Sequence, residues 1–226
     1  MELKYDFSFS ENILELFQRQ RYEDFIVEIM NLSDKVFPET YTHITEQANG
    51  ECDFKGDKSG KKFDSKIPFT KEQMKLLTTG EKHKPDIIKW LRELQNEAAE
   101  FNTIELRDGR LQIENTKLYQ IMASQIRKDK IDENIIFFLP YPMILSVRDS
   151  IFSQLNGNYF NLIYSTLVKN DEIGEREIFV IYPASEKNVY ALKNMKNYAV
   201  EFVEYPFDFE MSSVLINDSN KREVLK

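Results

Sequence analysis

Three residues of this 226-residue chain, Asp53, Asp64 and Lys66, have the types and spacing to do chemistry together. They lie in Glu51-Cys-Asp-Phe-Lys-Gly-Asp-Lys-Ser-Gly-Lys-Lys-Phe-Asp-Ser-Lys-Ile-Pro-Phe69. Two carboxylates and a lysine on one polar face suit metal-assisted cleavage of a phosphodiester. Carboxylate oxygens are ligands for a hard cation such as Mg²⁺ or Mn²⁺. The metal acidifies a water and neutralises charge building on phosphorus, while an ammonium orients that water or stabilises the leaving charge.

The stretch that must position them reads as a β-hairpin. Side chains of a strand alternate between faces, so Cys52 and Phe54 point one way and Glu51 and Asp53 the other. On the second arm Phe63, Ser65 and Ile67 share a face, opposite Asp64 and Lys66. Pairing Phe54 with Phe63 sets Lys55 against Lys62 and Gly56 against Lys61, and leaves Asp57 to Gly60 as a four-residue connection. Asp53 then opposes Asp64. Like charges directly opposed destabilise a sheet, so Lys66 or a bound cation is expected to compensate.

An Asp on one strand followed by acid-x-Lys on the next resembles the PD-(D/E)xK nuclease superfamily, the restriction-endonuclease-like fold. The resemblance covers about residues 41 to 69. Cys52 stands where the pattern has Pro, and Asp64 where Glu is commoner. It implies a single α/β domain, residues 1–226, with a mixed sheet, an αβββαβ core and flanking helices. It implies Asp53, Asp64 and Lys66 as catalytic residues, the two acids binding Mg²⁺ or Mn²⁺. A further acid is expected from the helix before the sheet, with Glu28 the first candidate and Asp24 one turn earlier. Glu51, on the polar face of the hairpin, is a fourth metal-ligand candidate. The function implied is a metal-dependent endodeoxyribonuclease acting on DNA in restriction or defence, with a homodimer or a partner subunit as the assembly. The alternative is a non-catalytic α/β subunit of a defence or toxin-antitoxin complex, binding nucleic acid or protein.

Charge bears on both readings. The chain carries −8 overall, which argues against a general nucleic-acid coating surface. Residues 55 to 92 nevertheless hold eleven Lys and Arg against five Asp and Glu, a local +6 that leaves −14 elsewhere. The positive segment coincides with the motif, and Lys61, Lys62 and Lys71 are assigned to phosphate contact. One cysteine excludes an internal disulfide framework, and Cys52 is read as core. No basic leader and no apolar run near membrane-spanning length stand in the sequence, so a soluble, cytoplasmic protein without membrane contact is expected. Two histidines and one cysteine are too few for a usual structural zinc site. His43 is a conceivable ligand but reads first as an exposed strand residue. No glycine-rich phosphate loop, GxSxG or HExxH competes.

Periodicity supplies the remaining elements. Helical spacing runs over 10–36, with a shift of face near 18–21. Residues 40–47 read as a strand, and Ala48-Asn49-Gly50 as a turn. Thr70 to Gln73 is a capping box, with Phe69 and Met74 as a hydrophobic staple, opening a short helix that Gly80 ends. A helix from Pro85 carries Trp90, and 103–113 is a hairpin insertion turning at Asp108-Gly109. A helix at 115–128 follows. The apolar runs 134–139 and 178–182 read as strands buried on both faces, with helices at 146–169 and 185–197 and an edge strand over 200–209. Residues 217–226 read as a flexible tail.

Overall fold

The computed structural model describes residues 6–7, 21–45, 52–78, 113–128, 133–139, 150–183, 189–197, 199–205, 213–216 and 222–225. The turn at 48–50, Glu51, the helix from Pro85 with Trp90, and the Asp108-Gly109 hairpin lie outside the described residues. The described chain is α/β, with one seven-stranded mixed sheet and helices. In chain order the elements around that sheet are α1 (Tyr22–Asn31), β2 (Tyr41–His43), β3 (Phe54–Gly56), β4 (Lys62–Lys66) and α2 (Lys71–Thr78). After them come α3 (Lys117–Lys128), β5 (Asn134–Phe138), α4 (Ser150–Lys169), β6 (Ile178–Pro183), β7 (Val189–Asn194) and β8 (Val200–Glu204). A second, three-stranded sheet joins β1 (Asp6–Phe7), β9 (Ser213–Ile216) and β10 (Arg222–Leu225) in the order β1-β9-β10. Residues 222–225, within the stretch read as a tail, are thus a strand paired with β9.

The large sheet runs β2 to β8 in sequence order. Strands β2, β3 and β4 form an antiparallel meander. From β4 to β5 and from β5 to β6 the pairing is parallel, and helices fill both connections, as parallel pairing requires. Strands β6, β7 and β8 are antiparallel again. The apolar runs in β5 and β6 are buried almost end to end, as expected of strands covered on both faces. Phe25 of α1 meets Phe138, Tyr190 and Tyr205 at ring-centroid distances of 5.5, 5.2 and 4.9 Å. Phe37, Tyr41, Phe63 and Phe179 form a second aromatic cluster near the β2–β4 meander. These contacts place α1 against the face that Phe63 presents. On the opposite face Phe160 of α4 packs on Tyr182, 5.5 Å between centroids.

Two further expectations are corrected. The first helix ends at Asn31, not at 36. The Ser33 hydroxyl accepts the N–H groups of Val36 and Phe37 at 3.1 and 2.9 Å. The Glu201 carboxylate accepts those of Asp34, Lys35 and Val36, each at 3.0 Å. Side chains therefore supply the acceptors that a continuing helix would have drawn from its own carbonyls. The helix expected over 185–197 is also absent from the described part, where Val189–Asn194 is a strand. It pairs with β6 from Phe179↔Asn194 to Pro183↔Tyr190, and with β8 on its other side. Being buried between two strands outweighs the helical propensity of Ala191, Leu192 and Lys193. The turn that follows is built by asparagines. Asn194 Oδ1 accepts the N–H of Lys196 at 2.9 Å, and Asn197 Oδ1 that of Ala199 at 3.0 Å.

Candidate functional site at the β3–β4 hairpin

The hairpin has the register its residues imply, with Phe54 opposite Phe63 and Lys55 opposite Lys62. Gly56 N–H donates to Lys61 O at 2.8 Å, leaving 57–60 as the connection. Gly60 adopts φ 68° there, a conformation that favours glycine. Glu39 pins the loop by accepting the N–H groups of Lys58 and Ser59 at 2.8 and 2.9 Å, and these bonds with the Ser59 hydroxyl hold its carboxyl below the usual range. Gly56 makes room for this clamp, since a Cβ on it would sit 2.7 Å from Glu39 Oε1.

At the other end of the hairpin the pairing changes. Asp53 N–H donates to Phe63 O at 3.0 Å, although Phe63 is already the partner of Phe54. Two residues of one arm thus oppose one of the other, the pattern of a β-bulge, which re-aims side chains. Asp53 consequently does not lie opposite Asp64. Its Oδ2 accepts both the N–H and the hydroxyl of Ser65, at 2.6 and 2.7 Å. Cys52 is buried, yet Glu133, Lys62 and Asp64 are the charged groups that act on it, and burial pushes its thiol pKa up.

Asp64 and Lys66 point, by strand alternation, to the face opposite Phe63 and Ser65. Lys66 Nζ lies 3.2 Å from Asp64 Oδ2, with side-chain exposures of 25% and 14%. Lys66 therefore does compensate an acid, as expected, and that acid is Asp64. The expected row of two acids and a lysine on one face becomes two adjoining parts, Asp64 with Lys66 and Asp53 on Ser65, the residue between them.

The acid of α1 on which Asp53 acts is Glu23 rather than Glu28. Glu28 accepts from the Tyr205 hydroxyl. Glu23, in the first turn of α1, is the acid that feels Asp53. Burial and the Asp53 charge raise its pKa, opposed by hydrogen bonds from Tyr22 and His43. His43 is half-buried between two acids, Nε2 3.2 Å from Glu23 Oε2 and Nδ1 2.8 Å from Asp24 Oδ1. The Tyr22 hydroxyl is pushed up by burial, Glu23 and Asp53. Sequence reasoning missed Glu23 and placed His43 on the surface. The signal available was the acidic first turn, Glu23-Asp24, preceding a threonine-rich strand with one histidine.

Of the lysines assigned to phosphate, Lys61 is paired with Glu177 at 2.8 Å. Lys62 is exposed opposite Lys55, and Lys71 is exposed at the start of α2. Among the described residues no three His, Cys, Asp or Glu side chains are grouped as a metal ion would need. The carboxylates of Asp53 and Asp64 are nonetheless donor types that suit a hard divalent ion, while Glu23, raised by burial and by the Asp53 charge, is not grouped with both.

A second polar cleft, of about 420 Å³, is lined by Glu114, Tyr119, Gln120, Arg127, Asn170 and Glu172. Glu172 there accepts from Arg127 at 2.7 Å and from the Tyr119 hydroxyl at 3.2 Å. Its Oε2 has no hydrogen-bond partner but is closed to solvent. The network ties α3 to the loop after α4, a structural task.

No helix among the described residues is long and apolar enough to cross a membrane. Compared with protein-family models, with curated proteins and with solved structures, the chain gives no match in any of the three.

Proposed function

We propose that the protein is a metal-dependent nuclease whose site is the bulged end of the β3–β4 hairpin. One observation carries the reading: the Asp53 carboxylate bonds to Ser65, the residue between Asp64 and Lys66, while Glu23 of α1 faces it from the helix. Asp53, Asp64 and Lys66 thus come from one hairpin, and Glu23 from the helix that precedes the meander. The order helix, three antiparallel strands, helix, parallel strand supports the restriction-endonuclease-like reading of the fold.

Asp53 and Asp64 would hold Mg²⁺ or Mn²⁺, with water completing the shell. Such an ion supplies an acidified water and charge neutralisation at phosphorus. The protein's own contributions are distinct. Lys66 is held beside Asp64 by one N–H of its ammonium, and its charge would stabilise a phosphate oxygen or orient a water. Ser65 fixes Asp53 through two hydrogen bonds, so its carboxylate keeps one direction. DNA is the expected substrate.

The same Ser65 contacts favour a second reading, in which Asp53 only caps the edge where β3 leaves the ladder and the domain is a non-catalytic subunit. The two separate in a cleavage assay on supercoiled plasmid, linear duplex, single-stranded DNA and RNA, with Mg²⁺ or Mn²⁺ against EDTA. Metal-dependent cutting that Lys66→Ala and Asp64→Ala both abolish is the expected result. Cutting that survives both variants assigns the cleavage to a contaminant or a different site, and its absence on every substrate favours the second reading.

A further inference from the structure

We propose that Lys55 and Lys62, one rung of the hairpin, form with Lys58 at its tip a contact surface for the phosphodiester backbone of nucleic acid. The inference extends the nucleic-acid half of the reading above and rests on it.

Lys55 and Lys62 are direct cross-strand partners and both are exposed. Partners across a rung share a face, with Cβ atoms about 4.5–5.5 Å apart, where like charges are destabilising. That cost has no internal compensation. Among the described residues neither of these lysines, nor Lys58, has an ion-pair partner. The acids around the hairpin are given to other groups: Asp64 to Lys66, Glu177 to Lys61, Asp57 to the Thr42 hydroxyl at 2.8 Å, and Glu39 to the loop N–H groups. From Lys55 to Lys62 the chain carries four lysines and one aspartate, on a protein of net −8. An external polyanion at this rung would replace repulsion with two attractive contacts.

The rung also lies where a substrate needs to be held. Lys62, Asp64 and Lys66 alternate along one face of β4. Lys62 is two residues from Asp64, about 6.5 Å along the strand. A backbone phosphate on the rung therefore sets the neighbouring phosphodiester beside Asp64 and Lys66. Lys55, which the sequence did not single out, takes the place of Lys61, whose ammonium is held by Glu177.

The test is binding of a fluorescein-labelled DNA duplex in EDTA over a KCl series, for the whole chain, Lys55→Gln/Lys62→Gln and Lys61→Gln. Each phosphate contact contributes about 0.9 to the slope of log affinity against log salt. The double variant is expected to lose at least about tenfold in low-salt affinity and to flatten the slope by about 1.8, twice the contribution of one contact. Lys61→Gln is expected to match the wild type. The melting temperature of the double variant should equal or exceed that of the wild type, because a repulsive rung is gone. An unchanged slope in the double variant, an equal loss in Lys61→Gln, or no binding by the wild type overturns the inference. The predicted slope change without any cleavage in Mg²⁺ leaves this inference standing and removes the hydrolysis. Cleavage with an unchanged slope does the reverse.

Discussion

Glu201 and Glu23 are two glutamates on the same domain in opposite electrostatic situations. Glu201 of β8 accepts the Ser33 hydroxyl at 2.5 Å and three backbone N–H groups, and these bonds, against the cost of burial, carry its pKa down to about 2. Glu23 is partly buried beside another acid, and its pKa goes up. Both are carboxylates drawn from water, but one is met by donors alone, and the other, though bonded by Tyr22 and His43, also meets a like charge. A satisfied anion is a fastener. A crowded one costs stability in the folded chain, and a bound cation would relieve that cost.

The largest effect that would sharpen this contrast is on activity. Lys66→Ala and Asp64→Ala are expected to lower the metal-dependent cleavage rate by about 10²-fold or more, measured at constant folded fraction by circular dichroism. Glu201→Gln should leave that rate alone. It should instead cost about 2 kcal/mol of stability by removing charge-assisted hydrogen bonds, read from urea unfolding. A rate loss in Glu201→Gln without loss of fold would break the distinction.

The pH dependence should differ in sign. Glu201 has a folded pKa of about 2, below its usual value of 4.5. Its contribution is present above 4.5 and is lost as pH falls towards 2. Glu23 is raised, so its contribution is present below the usual carboxylate range and is lost as pH rises through its folded pKa. Urea midpoints against pH should therefore show Glu201→Gln flattening the acid limb. Glu23→Gln should raise the midpoint slightly at neutral pH. A Glu23→Gln variant less stable than the wild type at neutral pH would mean that His43 and Tyr22 outweigh the Asp53 repulsion. The smallest effect expected is Glu28→Gln, which should change neither cleavage nor pH dependence and should cost under about 1 kcal/mol through the Tyr205 contact.

The sequence made the meander legible because its signals are local. Phe54 and Phe63 set the register, and Asp57 to Gly60 the connection. The apolar runs at 134 and 178 announced buried strands. That Asp53, Asp64 and Lys66 fall within one hairpin was readable, but their arrangement was not. A bulge depends on how β3 leaves the ladder, and no residue type near Asp53 advertises it. Glu28 looked better than Glu23 because it sits beside the apolar face of α1, whereas the position of β2 and His43 decides which acid meets Asp53. Strand β7 was misread because burial between two strands, not the propensity of Ala191 and Leu192, selects its conformation. Glu201 was invisible in the same way, since its partners lie 165 to 168 residues away.

The most direct single measurement is the Mn²⁺-dependent cleavage rate of plasmid DNA by Glu23→Gln beside Glu28→Gln. The account predicts that Glu23→Gln loses about 10²-fold while Glu28→Gln cuts as the wild type does. Equal rates in the two variants, or a loss confined to Glu28→Gln, would contradict a site assembled from Glu23, Asp53, Asp64 and Lys66.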